Sequence, residues 1–265
     1  MERIILIETS TALCSTALAE DGTITSYRES SAPKAHASLT AVFVQEMLSE
    51  RGLTLADCDA VCVSMGPGSY TGLRVGVSTA KGLCFGSGKP LLAVGTLDTL
   101  VAQAADEAGA EGGADAAGRA DAAGGADAAG GAGQYRYIIP MIDARRMEVY
   151  TAVFEPTGAS ATANGSKGSL PYRQITETAP VIIDENSFAK ELEEGPVLFI
   201  GDGAGKCADV IKHPNANFCQ CHPKASAMLS PALEAFRTGD FKDVAYFEPF
   251  YLKEFVATVS KKKLF

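Results

Sequence analysis

Two stretches of the chain share one plan, in which an apolar strand ends in an acidic residue and a hairpin follows. The first, RIILIETSTALCSTALAEDG, has Glu8 at the strand end and an Asp21-Gly22 pair suited to a hairpin turn. The second, YIIPMIDARRMEVYTAVFEPTG, has Asp143 at the matching place, with Val149, Thr151 and Val153 on one face of the next strand. This repetition predicts a duplicated fold of two similar domains.

Helical and strand patterns alternate through the rest of the chain. A helix is predicted over residues 36–50, with Leu39, Val42, Phe43 and Met47 on one face, and a buried strand over residues 60–65. Further strands are predicted at 91–94, 181–184 and 197–200. The fold class is therefore α/β, with mixed sheets flanked by helices.

A glycine- and alanine-rich segment divides the two halves. Residues 104–133 contain the repeat GGADAAGRADAAGGADAA, in which no apolar side chain is larger than alanine. We therefore predict an N-terminal domain over 1–103, a flexible insertion over 104–133 and a C-terminal domain over 134–243. Residues 244–265 form a last segment that we expect to pack back on the N-terminal domain.

The composition limits the possible partners. A formal net charge of −9 argues against a protein that holds nucleic acid by its own electrostatics, since that requires clustered lysine and arginine. The seven cysteines are an odd number and most lie in apolar contexts, which favours a reducing compartment. Since no stretch is long enough to span a membrane, we expect a cytoplasmic protein.

The residue spacing gives little support for a metal site or for a catalytic nucleophile. His213, Cys219, Cys221 and His222 lie within ten residues, but Cys-x-Cys is tighter than the usual zinc pairs and no second pair supports it. Ser69 lacks the G-x-S-x-G frame of a nucleophile elbow. We predict no metal ligands and no catalytic residue.

Acidic residues and glycine turns at strand ends are compatible with a nucleotide-binding site. The segment GDGAGKC at 201–207 follows a strand but lacks the first glycine and the Ser or Thr of a Walker A loop. Glu8 and Asp143 are candidate paired carboxylates, and in an actin-like fold such positions hold the magnesium of a nucleotide. A simple strand-end cap explains Glu8 equally well. The candidate nucleotide-binding set is Glu8, Ser10, Asp143, Gly201 and Gly203.

The segment GPGSYTGLRVGVSTAKG, residues 66–82, places Gly72, Gly76 and Gly82 inside the helix that it begins. Each costs about 1 kcal/mol relative to alanine, so close packing must compensate. Gly72, Gly76 and Ala80 recur every four residues and line one face. Spacing alone leaves open whether that face meets a partner helix or the protein's own sheet.

Four stretches together resemble the TsaB (YeaZ) family over nearly the whole chain outside the glycine-alanine segment. They are IETSTALCSTALAEDG, SMGPGSYTGLRVGVSTAKGLCFG, IDARRMEVYTAVFE and FEPFYLK. The resemblance implies the duplicated α/β fold of the actin-like ATPase superfamily, in agreement with the internal repeat. The family has D-T-S where this chain has Glu8-Thr9-Ser10.

The resemblance also implies a non-catalytic subunit of the bacterial machinery that makes threonylcarbamoyladenosine in tRNAs reading ANN codons. Its implied partners are the catalytic subunit TsaD, as a heterodimer, and the ATPase TsaE, with tRNA reached only through the complex. Pairing with TsaD by helices of the N-terminal domain implies a partner-binding set of Gly72, Leu73, Gly76, Val77, Ala80, Leu39 and Phe43. This resemblance favours the partner helix over the protein's own sheet.

No tightly bound cofactor is implied, although ATP or ADP with magnesium is compatible with the assembled complex. A homodimer is possible when the chain is alone. Two alternatives stay open at this point. One is a small-molecule kinase of the actin-like superfamily, which would bind ATP by itself. The other is a glycoprotease-like peptidase, which would need a metal or a nucleophile.

Overall fold

The computed structural model describes residues 1–110, 135–157 and 172–252, with the side chains of residues 107–110 excepted. The first half contains β1 (Arg3–Glu8), β2 (Cys14–Glu20), β3 (Thr23–Ser30), α1 (Ala35–Glu50), β4 (Ala60–Gly66), α2 (Tyr70–Ser87), β5 (Leu91–Gly95) and α3 (Thr96–Ala110). The second half contains β6 (Tyr137–Asp143), β7 (Glu148–Thr151), β8 (Phe154–Pro156), β9 (Tyr172–Gln174), β10 (Ala179–Ile182), α4 (Ala189–Glu194), β11 (Val197–Gly201), α5 (Ala204–Ala208), β12 (Ala216–Gln220) and α6 (Leu229–Thr238).

The first sheet has the strand order β3-β2-β1-β4-β5. Strands β1 to β3 form an antiparallel meander, whereas β4 and β5 run parallel to β1. Asp21 and Gly22 both have positive φ, 46° and 75°, and they make the two-residue turn between β2 and β3. The hairpin predicted from the Asp-Gly pair is confirmed.

The second sheet repeats this plan. Its main path is β10-β7-β6-β11-β12, where β7 is antiparallel to β6 and both β11 and β12 continue in parallel. The short strands β8 and β9 pair beside β6. The predicted duplicated α/β fold is confirmed, because each half builds the same five-strand order from an antiparallel hairpin and parallel crossovers.

Helix α3 runs to Ala110, seven residues into the segment predicted as an insertion. Ala104 is buried in the core of the second half with Leu100 and Val101, so the helix continues past the predicted boundary because its apolar face is covered. The rest of that segment, 111–133, lies outside the described residues. Helix α6, predicted to belong to the second half, packs instead through Ala232 and Leu233 on the first sheet.

Helix α1 occurs where it was predicted, but the four apolar residues named for one of its faces do not share one environment, since only Met47 of them is buried. The residues that face the sheet are Ala35, Thr40, Val44, Met47 and Leu48. Val42 is 41 % exposed, and Leu39 and Phe43 are only partly buried. The sequence misled because polar Thr40 takes a core position, where its hydroxyl donates to the His36 carbonyl oxygen at 2.6 Å.

Candidate functional site

The N-terminal turn of α2 sits directly on the turn that follows β1. The Ser69 backbone N–H donates to the Ser10 carbonyl oxygen at 2.6 Å, and the Ser69 hydroxyl caps the helix by accepting from the Gly72 N–H at 3.3 Å. A Cβ on Gly68 would lie 2.4 Å from that same Ser10 oxygen. A glycine is therefore needed for the loop before α2 to approach this backbone.

The glycine face of α2 packs against the protein's own chain. A Cβ on Gly72 would lie 2.1 Å from the Thr9 carbonyl oxygen, and one on Gly76 would lie 2.1 Å from the Thr9 hydroxyl oxygen. Ala80, next along the same face, is completely buried in the core beneath α2. The close neighbour that the four-residue spacing predicted is therefore the turn after β1 and not a helix.

This finding corrects the predicted partner-binding set. Five of its members lie on the buried face of α2 and are not available to a partner while this fold is intact. They are Gly72, Leu73, Gly76, Val77 and Ala80. The physical reason is that small residues permit a close approach by any backbone, and the nearest one belongs to the same sheet. Leu39 and Phe43, the other two members, remain partly accessible on α1.

The outer side of α2 carries a different apolar surface, which sequence reasoning missed. Phe85 is 87 % exposed, and Gly82 and Gly86 beside it have nothing within 4 Å of a Cβ position. We use the term outer helical surface for the accessible residues of both helices, which are Leu39, Val42 and Phe43 of α1 and Gly82, Phe85 and Gly86 of α2; Phe85 lies on the side of α2 that faces Asp243, Val244 and Ala245. The available signal was Phe85 between two further glycines, at positions that do not continue the Gly72–Gly76–Ala80 face.

The C-terminal segment lies along α2 next to this surface. The Lys81 ammonium donates to the carbonyl oxygens of Ala245 and Phe247, both at 3.0 Å. The Phe250 N–H donates to the Met65 carbonyl oxygen at 2.7 Å, and the Tyr251 ring lies 5.0 Å from that of Tyr70. The described part of this segment is thus in contact with the first half of the chain.

Glu8 is completely buried at the end of β1. Its Oε1 accepts from the Ser10 N–H at 2.6 Å and from the Ser64 hydroxyl at 3.0 Å, while Oε2 has no hydrogen-bond partner in the described structure. Burial raises the pKa of this carboxyl from 4.5 to about 7, against the lowering effect of its hydrogen bonds. Near neutral pH the side chain is therefore present in both charged and neutral forms.

Asp143 ends β6, the strand that matches β1, and it is paired with a cation of the chain. Its carboxylate accepts from the Lys206 ammonium and from the Arg145 backbone N–H at 2.8 Å. The Asp143 N–H in turn donates to Asp202 at 2.9 Å. Glu8 and Asp143 thus occupy matching strand ends but have different environments, one sealed in the core and one ion-paired.

The glycine turn after β11 packs on the end of β6. Gly201 has a φ of 132°, and a Cβ there would lie 2.3 Å from the Met141 carbonyl oxygen. The Gly203 N–H donates to that same oxygen at 2.9 Å, and the Gly205 N–H donates to the Gln220 side chain at 2.5 Å. These amides are engaged by the chain itself, so the turn offers them to no phosphate in this conformation.

The magnesium-bound nucleotide of actin-like folds does not fit the residues present here. Such a metal needs an accessible carboxylate as a ligand. Glu8 is completely buried, and the charge of the Asp143 carboxylate is neutralised by Lys206. Ser10 is also completely buried, and its N–H is taken by Glu8. We derive no chemistry through a nucleotide at these positions.

The cluster of histidines and cysteines near residue 220 is dispersed in the structure. His213 accepts through Nδ1 from the Asn215 N–H at 3.1 Å, whereas Cys219 and Cys221 lie at the edge of the core of the second half. Across the described ranges, no three His, Cys, Asp or Glu side chains form a metal-binding group. No described helix has the length and apolar character needed to cross a membrane.

Comparison with known proteins finds relatives that match most of the chain. The chain is 29 % identical over 260 residues to the tRNA threonylcarbamoyladenosine biosynthesis protein TsaB of Escherichia coli, covering 96 % of each chain. Over nearly its whole length the chain is similar to the TsaB (YeaZ) family. The Bacillus subtilis member is 27 % identical, covering 75 % of this chain and 70 % of the relative.

A solved structure has a similar fold, and the sequence model of a second family matches part of the chain. YeaZ from Pseudomonas aeruginosa superposes with a TM-score of 0.73 at 24 % identity, covering 95 % of this chain and all of that one. A sequence model described as TsaD, tRNA N6-adenosine threonylcarbamoyltransferase, matches residues 28–112. That matched segment contains both helices of the outer helical surface, α1 and α2.

Proposed function

We propose that the chain is the non-catalytic, TsaB-like partner subunit of a complex that forms threonylcarbamoyladenosine in tRNAs reading ANN codons. In this role it pairs with a TsaD-like catalytic subunit, recruits a TsaE-like ATPase and acts in the cytoplasm, with tRNA bound only through the assembly. Its full-length likeness to TsaB supports the pathway, and the following features support a partner role.

The observation that carries the proposal is the outer helical surface. Phe85 and Val42 are exposed apolar side chains on the two helices inside the segment that matches TsaD. Homologous subunits often pair through equivalent surfaces, because a two-fold or pseudo-two-fold arrangement brings the same elements together. The TsaD-like subunit is therefore the partner we assign to this surface.

The strand-end acids support a non-catalytic role. A kinase of the actin-like superfamily needs accessible carboxylates for a metal nucleotide, and here Glu8 is sealed while Asp143 is paired with Lys206. A peptidase needs a metal or an activated nucleophile, and Ser69, the serine of the glycine segment, serves as the cap of α2. Neither alternative is favoured by a specific observation.

The test is co-purification with the TsaD-like subunit of the same organism, followed by measurement of the dissociation constant. Phe85→Ser and Val42→Asp should each weaken the complex at least tenfold while the unfolding midpoint stays near that of the wild type. Ile182→Ser is the matched control, because Ile182 is 74 % exposed on β10 in the other half. Unchanged affinity in both surface variants would place the interface elsewhere.

A further inference from the structure

The side chain of Lys206 is held by three oxygen atoms at the end of the second sheet. Its ammonium donates to the Asp143 carboxylate, to the Arg146 carbonyl oxygen at 2.8 Å and to the Glu148 carbonyl oxygen at 2.7 Å. An ammonium has three donors, so all of them are used. One carboxylate and two carbonyl groups converging on a point are also the oxygen ligands that a hard divalent cation prefers.

The backbone around this ammonium is held in an unfavourable conformation. Arg145 and Arg146, in the turn between β6 and β7, have φ of 72° and 52°, in the left-handed region that non-glycine residues rarely adopt. The turn conformation directs the carbonyl groups of Arg146 and Glu148 at Lys206. The ammonium therefore holds together a turn that is unfavourable in isolation.

We propose that Lys206 is a built-in cation that takes the place of a bound metal ion among the oxygen atoms at the Asp143 end of the second sheet. The covalently attached ammonium neutralises Asp143 and fixes the β6–β7 turn without any bound ion. The turn then keeps its conformation without a bound metal ion. This inference concerns the chain alone and does not depend on the partner proposed above.

The decisive variant is Lys206→Met, which keeps a long side chain but removes the charge and the three donors. The three oxygens then face one another without a cation, so the variant should acquire a divalent-cation site. The probe is Mn²⁺ alone, followed by electron paramagnetic resonance of the free ion. We expect Lys206→Met to bind Mn²⁺ at least tenfold more tightly than the wild type, and Lys206→Met/Asp143→Asn to lose this gain.

The matched control is Lys212→Met, because the Lys212 ammonium donates to one carbonyl oxygen, that of Ala208, at 2.7 Å. It should bind no more Mn²⁺ than the wild type does. Lys206→Gln provides the same measurement if Lys206→Met fails to fold by circular dichroism. The proposal is overturned if the folded charge-free variants bind Mn²⁺ no better than the wild type, or if the wild type itself binds Mn²⁺ through Asp143.

A second readout is the unfolding midpoint. Lys206→Met should unfold at a lower temperature than Lys212→Met, and added Mn²⁺ should recover part of that loss only in the Lys206 variant. Equal midpoints for the two lysine variants, with no effect of Mn²⁺, would also contradict a built-in cation.

Discussion

Replacement of Gly72 by alanine tests whether the glycine face of α2 serves the protein's own core. The added Cβ would lie 2.1 Å from the Thr9 carbonyl oxygen, whereas ordinary contacts are longer than 3.4 Å. The obstacle is a backbone oxygen, so it cannot move aside as a flexible side chain does. Overpacking of this kind costs up to about 3 kcal/mol, and the gain in helix propensity offsets about 1 kcal/mol of it. We therefore expect a net loss of about 2 kcal/mol in the free energy of unfolding.

Gly82→Ala is the matched control on the same helix. Gly82 has nothing within 4 Å of its Cβ position, so the substitution gains about 1 kcal/mol of helix propensity without a clash. Urea unfolding of the two variants should therefore give free energies that differ by about 3 kcal/mol in total. If Gly72→Ala is as stable as Gly82→Ala, the glycine face is not packed against Thr9 and its assignment to a partner helix regains support.

Three further predictions concern other parts of the chain. The pKa of Glu8 is raised from 4.5 to about 7 in the folded state, so its protonated form stabilises the fold fully below pH 4.5 and this contribution is lost as the pH rises through 7. The loss amounts to about 3 kcal/mol. Glu8→Gln should remove this pH dependence of stability. The free energy of unfolding in urea is compared at pH 5 and pH 8, and an equal change in wild type and variant would disprove the role of Glu8. Replacement of residues 111–133, which contain no apolar side chain larger than alanine, by a ten-residue Gly/Ser linker should change the free energy of unfolding by less than about 1 kcal/mol. A larger loss in urea would mean that this segment packs. Lys81→Met removes two hydrogen bonds to the C-terminal segment, so limited proteolysis within residues 244–251 should become faster at an unchanged global midpoint; an unaltered cleavage rate would show that the aromatic contacts suffice.

The sequence predicts the fold well where the signal is local. Alternating apolar strands, the Asp21-Gly22 turn and the repeat of an acid at a strand end are sufficient for two similar α/β halves. The extent of α3 and the attachment of α6 to the first sheet were not predictable in this way. Both depend on which apolar face is covered by a distant part of the chain, and composition carries no such information.

The candidate site was predicted less well than the fold. Four-residue spacing identifies a face that permits close packing, but it does not say which backbone approaches, and here the backbone that approaches Gly72 is that of Thr9, in the turn after β1. Likewise, the sequence shows an acid at position 143 but not that Lys206, 63 residues later, would neutralise it. Contacts at such separations are set by the tertiary structure.

Reconstitution of the tRNA modification tests the central claim most directly. Purified TsaD-like and TsaE-like subunits of the same organism are incubated with ATP, a threonylcarbamoyl donor and an unmodified tRNA that reads an ANN codon. Threonylcarbamoyladenosine in the digested tRNA is then quantified with and without this chain. We predict that the nucleoside forms only when the chain is present and that Phe85→Ser, but not Ile182→Ser, lowers the yield. Equal formation without the chain, or formation by the chain in the absence of the TsaD-like subunit, would contradict its role as a non-catalytic partner.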